Sequence, residues 1–226
     1  TDIPFVTIDP SDARDHDDAV YSHADKDSDN QGGHILWVAI ADVAHFVKPG
    51  SAIDKEARKR GNSTYFADRV VPMLPDNLSG NLCSIHEGVE RPCLAVRMTI
   101  DKFGNKLRQT FHRGNIKSVA SLNYEEVQDA IDGKVNDSVR PHFENVIRPL
   151  YDSYYCLKKS KETRQPLDLD LPERKVELFK NGKVKGIIFK ERFDSHRLIE
   201  EFMILANVAA AEELFKARSE LLYRVH

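Results

Sequence analysis

Four aspartates, Asp9, Asp15, Asp17 and Asp18, crowd one short segment of this sequence. Packing carboxylates together raises the free energy of each ionised group, and proteins usually tolerate such crowding because a divalent cation binds there. The segment offers oxygen ligands with no cysteine nearby, which favours Mg²⁺ or Mn²⁺ over zinc or copper. Two such ions can activate a water and stabilise the leaving oxygen of a phosphodiester. The segment therefore predicts metal binding and, through it, phosphoryl hydrolysis.

A plainer interpretation accounts for some of the acids, because acidic loops are common and aspartates often cap turns. Asp12 is the candidate for such a turn-capping role. On a straight strand Asp15 and Asp17 would face one side and Asp18 the other, so the carboxylates converge only where the chain bends. Pro10 has no N–H for a strand ladder and favours that bend.

A second acidic run begins at Asp25 and copies the first three ligand positions of a calcium-binding EF-hand loop. The sixth position needs glycine and holds Asn30, and the twelfth needs a bidentate glutamate and holds Leu36. We therefore expect an exposed turn between two strands here rather than a calcium site.

Helices and strands are both predicted around these acids. Strand-like runs and hairpin turns occur at 5–8, 35–43, 94–112 and 184–189. Ser51 predicts the start of a helix that stops at Gly61, and Asn123 with Glu126 forms a capping-box pattern for another that ends at Gly133. Apolar residues at helical spacing predict the two longest helices, at 143–157 and 198–214. The prediction is one α+β domain.

The composition fits a folded domain of 226 residues, with 41% apolar and 31% charged side chains. The longest apolar run, 202–211, is too short to span a bilayer, and no signal-peptide pattern opens the sequence. We expect no membrane partner and a cytoplasmic location. Cys83, Cys93 and Cys156 lack Cys-x-x-Cys spacing, which predicts buried, reduced thiols.

The formal net charge of −3 seems to argue against a nucleic-acid partner, because such binding usually rests on Lys and Arg. The average hides locally basic stretches at 55–60, 102–117 and 158–164. Any one of these stretches could equally be a solvated face.

Four blocks in order carry a family resemblance: 8–19 (IDPSDARDHDDA), 60–75 (RGNSTYFADRVVPMLP), 78–84 (LSGNLCS) and 195–207 (SHRLIEEFMILAN). They resemble the nuclease domain of the ribonuclease II and ribonuclease R family, nearer ribonuclease R, over essentially the whole chain. The resemblance implies an α+β fold with a mixed, largely antiparallel sheet and long packed helices. It also implies a Mg²⁺-dependent, hydrolytic 3′→5′ exoribonuclease that degrades single-stranded RNA to nucleoside 5′-monophosphates.

The resemblance assigns a role to each of the four acids. Asp9 and Asp18 are expected to bind Mg²⁺, and Asp15 to support the metal directly or through water. Asp17 is expected to be the acid on which cleavage depends most.

The resemblance also implies RNA contacts outside the acids. Tyr65 aligns with an aromatic that stacks on the last nucleotides, although on sequence alone a core strand tyrosine is as good an interpretation. Glu200 or Glu201 occupies the position of an acid that contacts the 3′-terminal nucleotide, and the sequence does not decide between them. Leu169 stands where relatives often carry an aromatic clamp opposite Tyr65, so a weaker grip on the bases is expected.

The family's nuclease domain continues past the last residue of this chain, so 1–226 is expected to be a partial domain without its flanking OB-fold domains. Activity is accordingly expected of the parent protein rather than of this segment alone. Two rivals remain. A non-catalytic RNA-binding relative would keep the same fold, but all four acids are present. A protein whose acidic loops are structured by Ca²⁺ is disfavoured by the failed EF-hand pattern.

Overall fold

The computed structural model describes residues 3–164, 174–189 and 191–223. The strands are β1 (Val6–Asp9), β2 (Asp18–Ala24), β3 (His34–Ala41), β4 (Thr64–Tyr65), β5 (Val70–Val71), β6 (Glu90–Ile100), β7 (Lys106–Lys117), β8 (Ala120–Asn123), β9 (Arg174–Leu178) and β10 (Val184–Phe189). The α-helices are α1 (Val43–Phe46), α2 (Ala52–Arg60), α3 (Tyr124–Ile131), α4 (Arg148–Arg164) and α5 (Asp194–Lys216). Both kinds of element are present, and the predicted α+β fold is confirmed.

Six of the strands form one sheet in the order β7-β6-β3-β2-β1-β8. Neighbouring strands are antiparallel except β1 and β8, which run parallel. The expected mixed, largely antiparallel sheet is therefore confirmed. Strand β2 was not predicted, because Asp18, Ser22 and His23 interrupt its apolar pattern. Its pairing with β3 nevertheless makes it a central strand of the sheet.

Asp101 and Gly104 shape the turn of the long β6–β7 hairpin. Asp101 Oδ1 accepts the backbone N–H groups of Phe103 and Asn105, at 2.8 and 2.9 Å. Gly104 has a φ of +82°, and a Cβ there would lie 2.2 Å from the carbonyl oxygen of Cys156 in α4. Only glycine fits this turn without displacing the helix. The predicted hairpin is confirmed, with longer strands than the sequence suggested.

The predicted helix starts are confirmed by their hydrogen bonds. Asn123 Oδ1 accepts the N–H of Glu126 at 2.9 Å, and Glu126 Oε1 accepts the N–H of Asn123 at 2.8 Å. This capping box starts α3 where β8 ends. Ser51 Oγ accepts the N–H of Asp54 at 3.2 Å, and α2 ends at Gly61 with a φ of +80°.

The main core lies between the sheet and helices α3, α4 and α5. Its largest buried side chains are Tyr151 and Tyr154 of α4 and Phe202 of α5. The apolar run predicted to be helical from 143 begins as a π-helical turn, Phe143–Ile147, and continues into α4. Burying side chains of this size contributes about 1.5–3 kcal/mol each, so this core holds the helices firmly on the sheet.

Three smaller predictions can be compared with the structure. The second acidic run forms a turn around Ser28–Asn30, where Asn30 Nδ2 donates to Asp25 Oδ2 at 3.0 Å, as an inter-strand turn predicts. Cys83, Cys93 and Cys156 are all buried free thiols, as expected. Among the described residues, no helix combines the length and the apolar character needed to cross a membrane.

Candidate active site

The acidic segment is a loop together with the strand residue at each of its ends, and we call it the acid loop (residues 9–18). Asp9 is the last residue of β1 and Asp18 is the first residue of β2, and the two strands are antiparallel neighbours. The loop turns at once, because the N–H of Ala13 donates to the carbonyl of Pro10 at 2.9 Å. The predicted bend therefore exists, and it brings Asp9 and Asp18 together where the neighbouring strands β1 and β2 end and begin.

The acid loop is fastened by backbone hydrogen bonds to two distant segments. The N–H of His16 donates to Ser84 Oγ at 2.9 Å, and the N–H of Ile85 donates to the carbonyl of His16 at 2.8 Å. The N–H of Ala41, at the end of β3, donates to the carbonyl of Asp17 at 2.9 Å. Ser84 and Ile85 are fully buried, so the loop is attached to the interior of the domain.

The segment that holds the loop is itself held by Arg91. Its Nε donates to the carbonyls of Ser84 and Asn81, at 3.0 and 3.1 Å, and its Nη2 donates to Asn81 Oδ1 at 2.9 Å. These contacts give the sequence block 78–84 a physical role. The block forms the platform on which the acid loop rests, which the sequence alone did not reveal.

The carboxylates of the loop repel one another. Burial, together with repulsion from Asp9 and Asp17, raises the pKa of Asp18 to about 7. Neighbouring protein atoms strip water from the Asp17 carboxylate and raise its pKa, with a further rise from Asp15 and Asp9, although the residue as a whole is exposed. A bound cation would offset both effects by supplying the missing positive charge.

His16 contacts one of the acids of this segment directly. Its Nδ1 lies 2.7 Å from Asp9 Oδ2, and the two side chains are only 16% and 15% exposed. This hydrogen bond raises the pKa of His16, against the opposing effect of burial, and the charges of Asp15 and Asp17 raise it further.

The donor set fits a hard divalent cation, because every candidate ligand is a carboxylate oxygen and the acids destabilise one another without a counter-charge. In the parts of the chain that are described, however, no three His, Cys, Asp or Glu side chains form a cluster that could hold a metal ion. The four acids interact electrostatically without forming one coordination shell.

Tyr124 also belongs to this site, although no sequence pattern pointed to it. It follows Asn123, which pairs with Asp9 across the parallel β1–β8 ladder, and its ring stacks on His196 at 3.9 Å between centroids. Burial raises the pKa of Tyr124, and the charges of Asp9, Asp18 and Glu200 raise it further. The capping box located the start of α3, but only the non-local strand pairing brings Tyr124 to the acids.

The two glutamates of α5 differ sharply in their surroundings. Glu201 is 3% exposed, and its oxygens lie 3.3 Å from Lys161 Nζ and 3.2 Å from an Arg164 Nη2 in α4. Glu200 is half-buried, and its Oε2 lies 2.6 Å from Arg192 Nη2. The charge of Glu200, with those of Asp9 and Asp18, raises the pKa of Tyr124. Glu201 is therefore a buried ion-pair residue, whereas Glu200 belongs to the acid-loop side.

The remaining predicted residues lie further out. Tyr65 is 70% exposed on the short β4–β5 hairpin, so it is not a core residue of the described chain. Asp12 lies in the turn of the acid loop, and its Oδ2 lies 2.6 Å from Lys175 Nζ in β9. Leu169 falls outside the described residues.

Comparison with known proteins gives consistent matches. The family model described as RNB domain matches residues 1–226. Ribonuclease R of Vibrio cholerae is 41% identical over 227 residues, which cover 99% of this chain but 27% of that protein. Mycoplasma genitalium RNase R in complex with ribose-methylated single-stranded RNA has a TM-score of 0.92 at 28% identity, covering 100% of this chain and 34% of that one. Yeast Ssd1, a pseudonuclease, has a TM-score of 0.71 at 16% identity, which shows a shared fold only.

Proposed function

This chain belongs to the RNB domain family, and we propose that it supplies the catalytic acids of a Mg²⁺-dependent, hydrolytic 3′→5′ exoribonuclease. The substrate is single-stranded RNA, and the products are nucleoside 5′-monophosphates. One observation carries the proposal: the acid loop concentrates Asp17 and Asp18, both with raised pKa values, beside Asp9 at one edge of the sheet. Similarity to ribonuclease R, and to an RNase R structure that contains single-stranded RNA, supports the choice of substrate.

The four acids would hold the cation between them. Asp9 and Asp18, at the ends of β1 and β2, are the expected direct ligands, and Asp15 and Asp17 complete the set from the loop. Mn²⁺ could replace Mg²⁺, because both prefer oxygen ligands. A bound cation would supply positive charge that stabilises the transition state of phosphodiester hydrolysis and would make water more acidic there.

Asp17 would then accept the proton of the attacking water. Asp17 is exposed as a residue, so substrate can approach it. Its backbone is fixed by the hydrogen bond from Ala41, so the carboxylate starts from a defined position.

Tyr65 and Glu200 would bind the RNA. Stacking of a base on an exposed aromatic ring contributes about 1–3 kcal/mol and does not depend on sequence, as a general degrader requires. Tyr65 has the exposure for this role. Glu200 is the better choice for the contact with the 3′-terminal nucleotide, because its side chain is 42% exposed and pairs with Arg192, whereas Glu201 is buried and contacts both Lys161 and Arg164.

The proposal is tested by product analysis with the intact protein. Single-stranded RNA labelled at either end is incubated with Mg²⁺, with Mn²⁺, or with a chelator. The proposal predicts stepwise shortening from the 3′ end, release of nucleoside 5′-monophosphates, and no reaction with the chelator. Tight RNA binding without any shortening would identify a non-catalytic relative instead.

A further inference from the structure

His16 has a place in the acid loop that the proposed chemistry does not yet use. It lies between Asp15 and Asp17, yet its ring turns to the end of β1, where Nδ1 is 2.7 Å from Asp9 Oδ2. An ionised carboxylate can only accept, so Nδ1 is the donor in this bond. Both side chains are largely shielded from solvent, which strengthens a charge-assisted hydrogen bond.

The rest of His16 is immobilised as well. Its N–H donates to Ser84 Oγ and its carbonyl accepts from the N–H of Ile85, so both sides of its backbone are fixed. The edge of its ring also meets the ring of His86, at 5.9 Å between centroids and an interplanar angle of 80°. A side chain held from three directions is well suited to hold another group in place.

We propose that His16 is a positioning residue that fixes the Asp9 carboxylate for the divalent cation. This inference rests on the proposed function. The hydrogen bond engages one of the two Asp9 oxygens and so restrains rotation of the carboxylate plane. Partners of this kind behind a metal ligand typically change metal affinity by about 10- to 100-fold when they are removed.

The chain offers a matched pair of substitutions. In His16→Asn, the amide Nδ2 takes the place of the ring Nδ1 and keeps the hydrogen-bond donor. In His16→Leu the donor is lost while most of the side-chain volume remains. His16→Gln serves as a second loss-of-donor variant that stays polar, because its amide lies one bond further out.

The measurement is Mn²⁺ binding to the intact protein without RNA, followed by electron paramagnetic resonance, together with the Mg²⁺ concentration that half-saturates RNA cleavage. We expect His16→Leu and His16→Gln to weaken Mn²⁺ binding by about tenfold or more, and His16→Asn to stay within about threefold of wild type. The half-saturating Mg²⁺ concentration should follow the same order. Metal-free melting temperatures record any loss of folding.

Three results would overturn the inference. If His16→Leu binds Mn²⁺ as tightly as wild type or more tightly, His16 does not prepare Asp9 for a cation. If the Asn and Leu variants lose affinity equally, the role is packing rather than donation. If wild type binds no Mn²⁺ and cuts no RNA, the proposed function itself fails. If wild type binds Mn²⁺ and cuts RNA, and His16→Leu does both equally well, only the inference about His16 fails.

Discussion

Ser84→Ala gives the sharpest prediction about how the acid loop is held. Ser84 is fully buried, and its Oγ accepts the N–H of His16 at 2.9 Å. The substitution removes the acceptor and leaves that N–H without it, which costs about 1–3 kcal/mol. Since about 1.4 kcal/mol corresponds to a factor of ten, local opening of the acid loop should become about 5- to 150-fold more frequent.

Amide hydrogen exchange of the intact protein, read by mass spectrometry on peptides that cover residues 9–18, measures this opening. Ser79→Ala is the matched control in the same segment, because Ser79 Oγ lies 3.5 Å from the Pro75 carbonyl and makes only a marginal hydrogen bond. The control should leave exchange unchanged. Unchanged protection of residues 9–18 in Ser84→Ala would refute the claim that this platform holds the loop.

Three further predictions concern the fold around the site. Gly104→Ala should destabilise the protein more than Gly50→Ala, because both have a positive φ but only at position 104 would the new Cβ collide with a helix carbonyl, at 2.2 Å; thermal melting compares them. Hydrogen bonds from Arg113 lower the pKa of Asp42 against the opposing effect of burial. The contribution of Asp42 to stability should therefore be full above about pH 4 and be lost as pH falls through its lowered pKa, so that Asp42→Asn and wild type converge in acid denaturation. Glu201→Gln should lower the melting temperature because it removes a buried negative charge that contacts Lys161 and Arg164, whereas Glu200→Gln should mainly weaken binding of RNA, which fluorescence anisotropy measures.

Local sequence signals predicted the local structure well. Asn123 and Glu126 form the complete capping box that their spacing predicted. Ser51 and Gly61 lie at the two ends of α2, as expected. Each of these signals depends only on residues within or next to one helix, so it does not need tertiary contacts to determine the local structure.

Contacts between segments far apart in the sequence could not be predicted from local patterns. The parallel ladder that sets Asn123 beside Asp9, and so brings Tyr124 to the acids, joins segments that share no local pattern. The hydrogen bond from the His16 N–H to Ser84 Oγ also joins segments that share no local pattern. The crowding of acids predicted a charged loop correctly, but it could not reveal that one of the carboxylates is tied to a neighbouring histidine.

The central claim is that the acid loop carries out the hydrolysis, and Asp17→Asn tests it most directly. The substitution keeps the size of the side chain and removes its charge and basicity. Cleavage of 3′-tailed single-stranded RNA in Mg²⁺, together with RNA binding, is measured for the intact protein and the variant. The account predicts that wild type releases 5′-nucleotides, while the variant binds RNA with similar affinity and does not cut it. A variant that cuts as fast as wild type would contradict the account.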